Sequence, residues 1–456
     1  MKIMNPSTGE LVKTIENDNN NSVTQKLAKL KAGQKSWYEK TTIHQRIACV
    51  EKFITLLKEN IEALAADLTT EVGKPFQESR NEINAACYRC QYFVDQSAKT
   101  LDEREVHVDG NTREHIAYEP LGVIANISAW NYPYLVGVNV FIPALIAGNA
   151  VAYKPSEYAV LTGLNIQKYL FQAGIPQDVF QCLIGAKDVG EALLTAPLDG
   201  YFFTGSVATG KHVAKKAAKK LVPVGLELGG KDPVYVADDV KSVRASAESL
   251  VEGAFYNNGQ SCCSVERIYV HKKIYEKFVS HYVNTANQLK VGDPTVQGIT
   301  NGAITRPQHV DFLRAQVKDA EQKGAVLLLG GHSIDSDGSF FEPTVLINVD
   351  HSMRVMTEES FGPIIGIQSV NDDNEAIEKM NDTDFGLTAG VFTSNEDRAN
   401  LIMRKLNAGN VYWNCCDRVS PYLPWAGRNN SGLGVTLSEH GIYAFVKTKG
   451  LQFRNI

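Results

Sequence analysis

The chain has 456 residues, a formal charge of -5 and 44% hydrophobic content, which is too much chain for one core and points to two or three domains. A pI near 6.1 supplies no basic surface for nucleic acid or an anionic membrane. The apolar stretch Tyr134 to Ala147 is interrupted by Asn139 and Pro143 and falls short of the roughly 18 apolar residues a membrane span needs. The expected partner is therefore a small molecule, with no nucleic acid and no membrane.

The N-terminal MKIMNPSTGE turns polar at once and lacks the apolar core of a secretory signal, so a cytoplasmic protein with reduced thiols is expected. From Thr42 onward, Ile47, Val50, Phe53, Ile54, Leu57, Ile61 and Leu64 recur at helical spacing, which predicts one long amphipathic helix. The segment around Cys87 and Cys90 also reads as helix, so their spacing stacks two thiols on one face. Beyond about residue 120 short β-rich runs alternate with helical ones: LGVIANIS, AVAYKPS, VFQCLIG, GYFFTGS, VGLELGG and PVYVAD. Such alternation predicts parallel strands with helical crossovers. A second round through ERIYVHK, AVLLLGG, TAGVFTS and NVYWNC predicts a second α/β domain. The stretches Leu101 to Tyr118 and from Tyr443 onward are short, polar and strand-like, as an oligomerisation arm would be.

Ligands of open parallel sheets lie beyond the carboxyl ends of the strands, where Asn131, Lys154, Gly205 and Glu227 fall. The dinucleotide fingerprint G-x-G-x-x-G is absent. In its place Gly205-Ser-Val-Ala-Thr-Gly210 joins a strand to a helix, whose first amides suit a phosphate. The eight cysteines do not form two pairs with nearby histidines, so no metal site is expected. One of them, Cys262, directly follows the polar glycine turn Tyr256-Asn-Asn-Gly-Gln-Ser261. A thiol there has exposed backbone amides beside it, which a nucleophile acting on a carbonyl needs.

That segment, with Leu226-Glu227-Leu228-Gly229-Gly230-Lys231, resembles the paired signatures of the aldehyde dehydrogenase superfamily. The resemblance extends through Asn5-Pro-Ser-Thr-Gly-Glu10, Ala129-Trp130-Asn131-Tyr132-Pro133, Lys154-Pro-Ser-Glu157, Phe203-Thr-Gly-Ser206, Glu359-Ser-Phe-Gly-Pro363 and Pro424-Trp-Ala-Gly427. It implies an α/β fold with a Rossmann-type NAD-binding domain (1-100 and 121-227), an α/β catalytic domain (228-442) and a small β arm (101-120 and 443-456). The arm would pair subunits into a homodimer or homotetramer.

The same resemblance makes Cys262 the nucleophile and Glu227 the base that activates water against a thioester. The Asn131 amide and the Cys262 N–H would hold the oxyanion. It puts Lys154 and Glu157 at the adenosine ribose, Trp130 in the nicotinamide channel, Gly205 and Ser206 near the pyrophosphate, and Glu359 at the nicotinamide ribose, with Phe361 among the cofactor-binding residues. Because a 2′-phosphate would meet like charge at Glu157, NAD is expected over NADP.

The substrate tunnel implied by position comprises Tyr132, Asn139, Tyr256, Cys263 and Trp425, with Val136, Ser261, Asp417 and Val419 between them. Tyr132, Tyr256 and Trp425 match three aromatic places of betaine aldehyde dehydrogenases, where cation–π attraction holds a quaternary ammonium. Betaine aldehyde or an aminoaldehyde is one expected substrate, with aliphatic, aromatic and succinic semialdehydes as alternatives. Against the last, Asn139 stands where succinic semialdehyde dehydrogenases generally carry arginine. Ala129, Asp232 and Arg428-Asn-Asn depart from common family residues without removing a catalytic group. Two other functions are open. Transfer of the acyl group to coenzyme A is disfavoured by the presence of Glu227, and a non-catalytic NAD-binding protein would keep the fold without turnover.

Overall fold

The computed structural model describes residues 1 to 455. The chain begins with a hairpin, Lys2–Met4 against Leu11–Thr14, which periodicity does not disclose because its strands are so short. Four helices follow: Asn20–Lys40, Ile43–Glu59, Ile61–Val72 and Phe76–Thr100.

The long helix expected from Thr42 is thus two. A capping box between Thr42 and Gln45 starts the first by satisfying amides that lack helical partners, and Asn60, at φ -114 and ψ 16, ends it. The Asn60 amide donates to Leu56 O at 2.8 Å, competing with the backbone for that carbonyl. The apolar stripe continues across the break because both helices pack on one core. Val50, Phe53, Leu57 and Leu64 are all buried. Cys87 and Cys90 are buried free thiols on the fourth helix.

A six-stranded sheet contains the parallel strands Val123–Ile127, Ala150–Lys154, Phe180–Cys182, Gly200–Thr204 and Val224–Glu227. The chain first builds outward from Val123–Ile127 through the second and third strands. It then returns to add Gly200–Thr204 and Val224–Glu227 on the opposite side. The order therefore reverses between Val123–Ile127 and Gly200–Thr204, and a crevice opens beyond the strand ends at such a reversal. Gly432–Leu433 closes the edge antiparallel to Val224–Glu227.

A seven-stranded sheet carries the second half, with Val265–His271 near its centre beside Asp232–Val236 and Ile364–Val370. Ile364–Val370 and its neighbour Thr344–Ile347 are further parallel strands, outside the alternating runs of the sequence. Val326–Leu329 lies at the edge and is antiparallel, unlike the parallel strands expected there. Arg104–Asp109, Thr112–Pro120 and Val446–Arg454 pair with one another in a separate antiparallel sheet, so the two polar, strand-like stretches are each other's companions. Among the described residues no helix is long and apolar enough to cross a membrane. No cluster of His, Cys, Asp or Glu among them could hold a metal.

Candidate active site

The turn before Cys262 is built from residues that tolerate left-handed backbone: Asn257, Asn258 and Gly259 have φ of 51, 55 and 66. A side chain at Gly259 would strike the Gly362 carbonyl. Several polar groups of the turn fix it. Asn257 donates its backbone N–H to Glu78 Oε2 (3.1 Å) and its side-chain amide to Asn131 O (3.2 Å). Gln260 accepts from Thr305 N at 3.0 Å. The N–H of Cys262 donates to no backbone acceptor among the described residues, so it is available beside its own thiol.

Asn131 follows strand Val123–Ile127 and precedes a helix, Pro133–Ala147, opened by proline at its first position, where the missing N–H costs nothing. One amide hydrogen goes to Gln260 O at 3.1 Å, which ties Asn131 to the cysteine turn. Its carbonyl accepts from Lys74 Nζ at 2.6 Å. Lys74 is fully buried, pairs with Glu82 at 2.6 Å and lies 4.0 Å from the Tyr132 ring centroid. Neither Lys74 nor Glu82 is signalled in the sequence, where each looks like an ordinary polar helix-end residue.

Glu227 ends its strand with its carboxyl directed at the same place. Burial pushes its pKa up to about 7, while a hydrogen bond from Thr436 and the nearby Arg89 charge pull it down. A carboxyl in that range is matched to proton transfer near neutrality.

Two cavities meet on this group. One, of about 340 Å³, is lined by every expected tunnel residue, among them Tyr132, Asn139, Tyr256, Cys263 and Trp425. The other, of about 370 Å³, is lined by Trp130, Gly205, Ser206, Glu359 and Phe361. Asn131, Glu227 and Cys262 line both.

The second cavity lies at the sheet's reversal point, beyond the strands Val123–Ile127 and Gly200–Thr204. Ser206 caps the helix Val207–Ala218, whose first amides carry partial positive charge. Glu359 accepts from Gly230 N at 3.1 Å, and burial with nearby Glu266 pushes its pKa up to about 8. The Glu359 turn is held by Glu266, which accepts from the N–H groups of Ser360 and Phe361 and pairs with Lys231 at 2.6 Å. Phe361, at φ 48, meets Trp130 edge-on at 5.4 Å. Lys154 and Glu157 do not line this cavity. Lys154 is buried against Pro155 O at 3.2 Å, and Glu157 is exposed. Arg306, Gln308, His309 and Phe312 line it without having been anticipated, since nothing in their local sequence separates them from surface residues.

In the first cavity Cys263 donates to Asp417 Oδ1 at 2.9 Å, and all eight cysteines are free. Asn139 is not alone. Arg89, from helix Phe76–Thr100, donates Nη1 to Asn139 Oδ1 at 3.1 Å and lines the same cavity.

The aldehyde dehydrogenase family model matches residues 1 to 451. The chain belongs to the aldehyde dehydrogenase family. As an aldehyde dehydrogenase it is an oxidoreductase that acts on an aldehyde with a nicotinamide cofactor. It is 32% identical over 454 residues to a betaine aldehyde dehydrogenase of Vibrio vulnificus (strain CMCP6), covering 98% of this chain and 93% of that protein. A Staphylococcus aureus betaine aldehyde dehydrogenase solved with NAD+ superposes with a TM-score of 0.96 at 29% identity, covering 100% of this chain and 92% of that one. An E. coli NADP-dependent enzyme does so with a TM-score of 0.96 at 28% identity, covering 100% and 94%. In this aldehyde dehydrogenase the expected α/β fold is present.

Proposed function

We propose that this enzyme oxidises its aldehyde to a carboxylate through a thioester on Cys262. The supporting observation is that Asn131, Glu227 and Cys262 form the wall shared by the two cavities, so an aldehyde in one and a nicotinamide in the other would meet at the thiol. The Cys262 thiolate adds to the carbonyl carbon, and the charge that develops on oxygen is met by the Asn131 amide and the Cys262 N–H. Each such donor lowers the barrier by about 2.7–4 kcal/mol. A nicotinamide bound in the second cavity supplies the acceptor for the hydride that leaves the same carbon. Glu227 then takes a proton from water as its oxygen attacks the thioester, and the thiolate departs with the carbon–sulfur electrons. The substitution Cys262→Ala should abolish NADH formation from every aldehyde while NAD still binds; surviving turnover would remove Cys262 from the mechanism.

We infer NAD over NADP: Glu157 lies outside the cavity of about 370 Å³, but it is exposed just beyond the strand Ala150–Lys154, where its carboxylate would repel a 2′-phosphate that extends out of the cavity. A higher kcat/KM with NADP would overturn that. The two large sheets fit a division into an NAD-binding domain (1-100 and 121-227) and a catalytic domain (228-442). The outlying sheet fits an arm that joins subunits into a dimer or tetramer.

Two tail chemistries have an observation behind them. The aromatic walls Tyr132, Tyr256 and Trp425 suit a quaternary ammonium at roughly 0.5–2 kcal/mol per ring, in keeping with the betaine aldehyde dehydrogenases that this chain resembles. The other observation is Arg89.

A further inference from the structure

Arg89 is a buried guanidinium with no carboxylate of the described residues at ion-pair distance. Its one described protein acceptor is the neutral Asn139 amide oxygen, 3.1 Å from Nη1, and it makes no ion pair among the described residues. The acidic groups around it are already engaged. Glu82 accepts from Lys74 and from Tyr134 N, Asp417 from Cys263, and Glu227 from Thr436. Arg418 adds a second cation to the same lining. A charge removed from water is costly unless an opposite charge and hydrogen bonds replace the solvent. Arginine presents five N–H donors in a planar fork that matches a carboxylate, and here the unbonded donors border the cavity rather than packed protein.

The position suits the far end of a short substrate. Asn139 lies on the helix that starts beside Asn131, and a rise of roughly 1.5 Å per residue puts it about two turns along the tunnel from the carbonyl site. Arg89, Glu227 and Cys262 line the same cavity, so a substrate whose carbonyl is at the thiol has its tail in the space that the guanidinium borders.

We propose that Arg89, oriented by Asn139, binds a carboxylate at the tail of the substrate, so that the preferred aldehyde is a short ω-oxo acid. This rests on the reading of the cavity as the aldehyde tunnel. Asn139 orients the fork through one donor and leaves the others for the ligand. A quaternary ammonium in the same place would meet the guanidinium as a like charge with little water to screen it, and the aromatic rings would have to outweigh that repulsion.

The test compares kcat/KM for succinic semialdehyde, its uncharged counterpart butanal, 4-aminobutanal and betaine aldehyde, with saturating NAD, in the wild type, Arg89→Leu and Arg89→Lys. The wild type should favour succinic semialdehyde over butanal by roughly 10- to 100-fold, the worth of a charge-assisted hydrogen bond. Arg89→Leu should erase that ratio mainly through KM, and Arg89→Lys should keep part of it. Should Arg89→Leu not fold, inhibition of the wild type carries the test: succinate should compete with the aldehyde and tetramethylammonium should not. A ratio unmoved by Arg89→Leu, a wild type that prefers betaine aldehyde, or inhibition by tetramethylammonium but not succinate would overturn the inference and leave aldehyde oxidation standing. No NADH from any aldehyde would overturn the reaction itself, and the inference with it.

Discussion

The carboxylate of Glu227 accepts a hydrogen bond from the hydroxyl of Thr436. Thr436 comes from the far end of the chain, where it also pairs with Trp425 through mutual backbone bonds of 2.7 and 2.9 Å. A residue of the expected tunnel wall and the expected base are therefore fastened to the same short segment.

This contact sets the first prediction. Burial raises the Glu227 pKa to about 7 and the Thr436 bond opposes that rise. The base works deprotonated, so kcat should increase as pH passes through about 7. Thr436→Val keeps the shape and removes the bond, which is worth about 1 kcal/mol. The acid limb of the pH–kcat profile should then move upward by up to roughly 1 unit. A limb that stays in place would mean that another group controls it.

Glu227→Gln separates the two halves of the reaction. Acyl-enzyme formation should still release a rapid burst of about one NADH per subunit, after which turnover should fall by roughly 10²- to 10⁴-fold. Stopped-flow absorbance would show the burst. The same variant carries a stability signature. A carboxyl raised from 4.5 to about 7 releases its proton first from the unfolded chain, so stability falls as pH rises through that window. Glu227→Gln should melt higher than the wild type at pH 8, and the difference should shrink at pH 5.

Lys74→Met tests the buried frame beneath Asn131. It strips Glu82 of its 2.6 Å partner and Asn131 O of its donor, and losing one member of a buried pair costs about 3–5 kcal/mol. Denaturant unfolding should show a loss of that size. Lys74→Met combined with Glu82→Gln should recover part of it, because no unpaired charge is left.

Gly229→Ala addresses the nucleotide cavity. A Cβ at Gly229 would collide with the Glu359 carboxylate and displace it from Gly230 N. The KM for NAD should rise at least about tenfold, the effect of roughly 1.4 kcal/mol, with little change in the KM for aldehyde. Fluorescence titration with NAD would give the same ranking independently of turnover.

Much of this was legible in the sequence, because short motifs carry their own local geometry. The asparagine and glycine before Cys262 permit the left-handed turn that exposes a thiol, and the strand-to-helix steps at Asn131 and Gly205 place those residues at the carboxyl edge of a sheet. Tyr132, Asn139, Tyr256, Cys263 and Trp425 could be named for one tunnel before any coordinates, since each belongs to a motif or lies at a set distance from one.

Other features come from packing, which periodicity does not encode. An unbroken apolar stripe reads as one helix, yet Asn60 turns the chain there because both halves still reach the same core. Lys74, just before the helix Phe76–Thr100, and Glu82 and Arg89 on it look like solvated charges in sequence, and only the packing of that segment against Pro133–Ala147 turns them inward. The expected cofactor residues divide in the same way: Glu359 lines the cavity because Glu266 holds its turn, whereas Lys154 and Glu157 do not line it. The sequence by itself determined the family and the parallel sheet whose reversal opens the cleft. Which charge faces the substrate tail was decided by tertiary structure alone, since a side chain's solvent is set by elements distant in the chain.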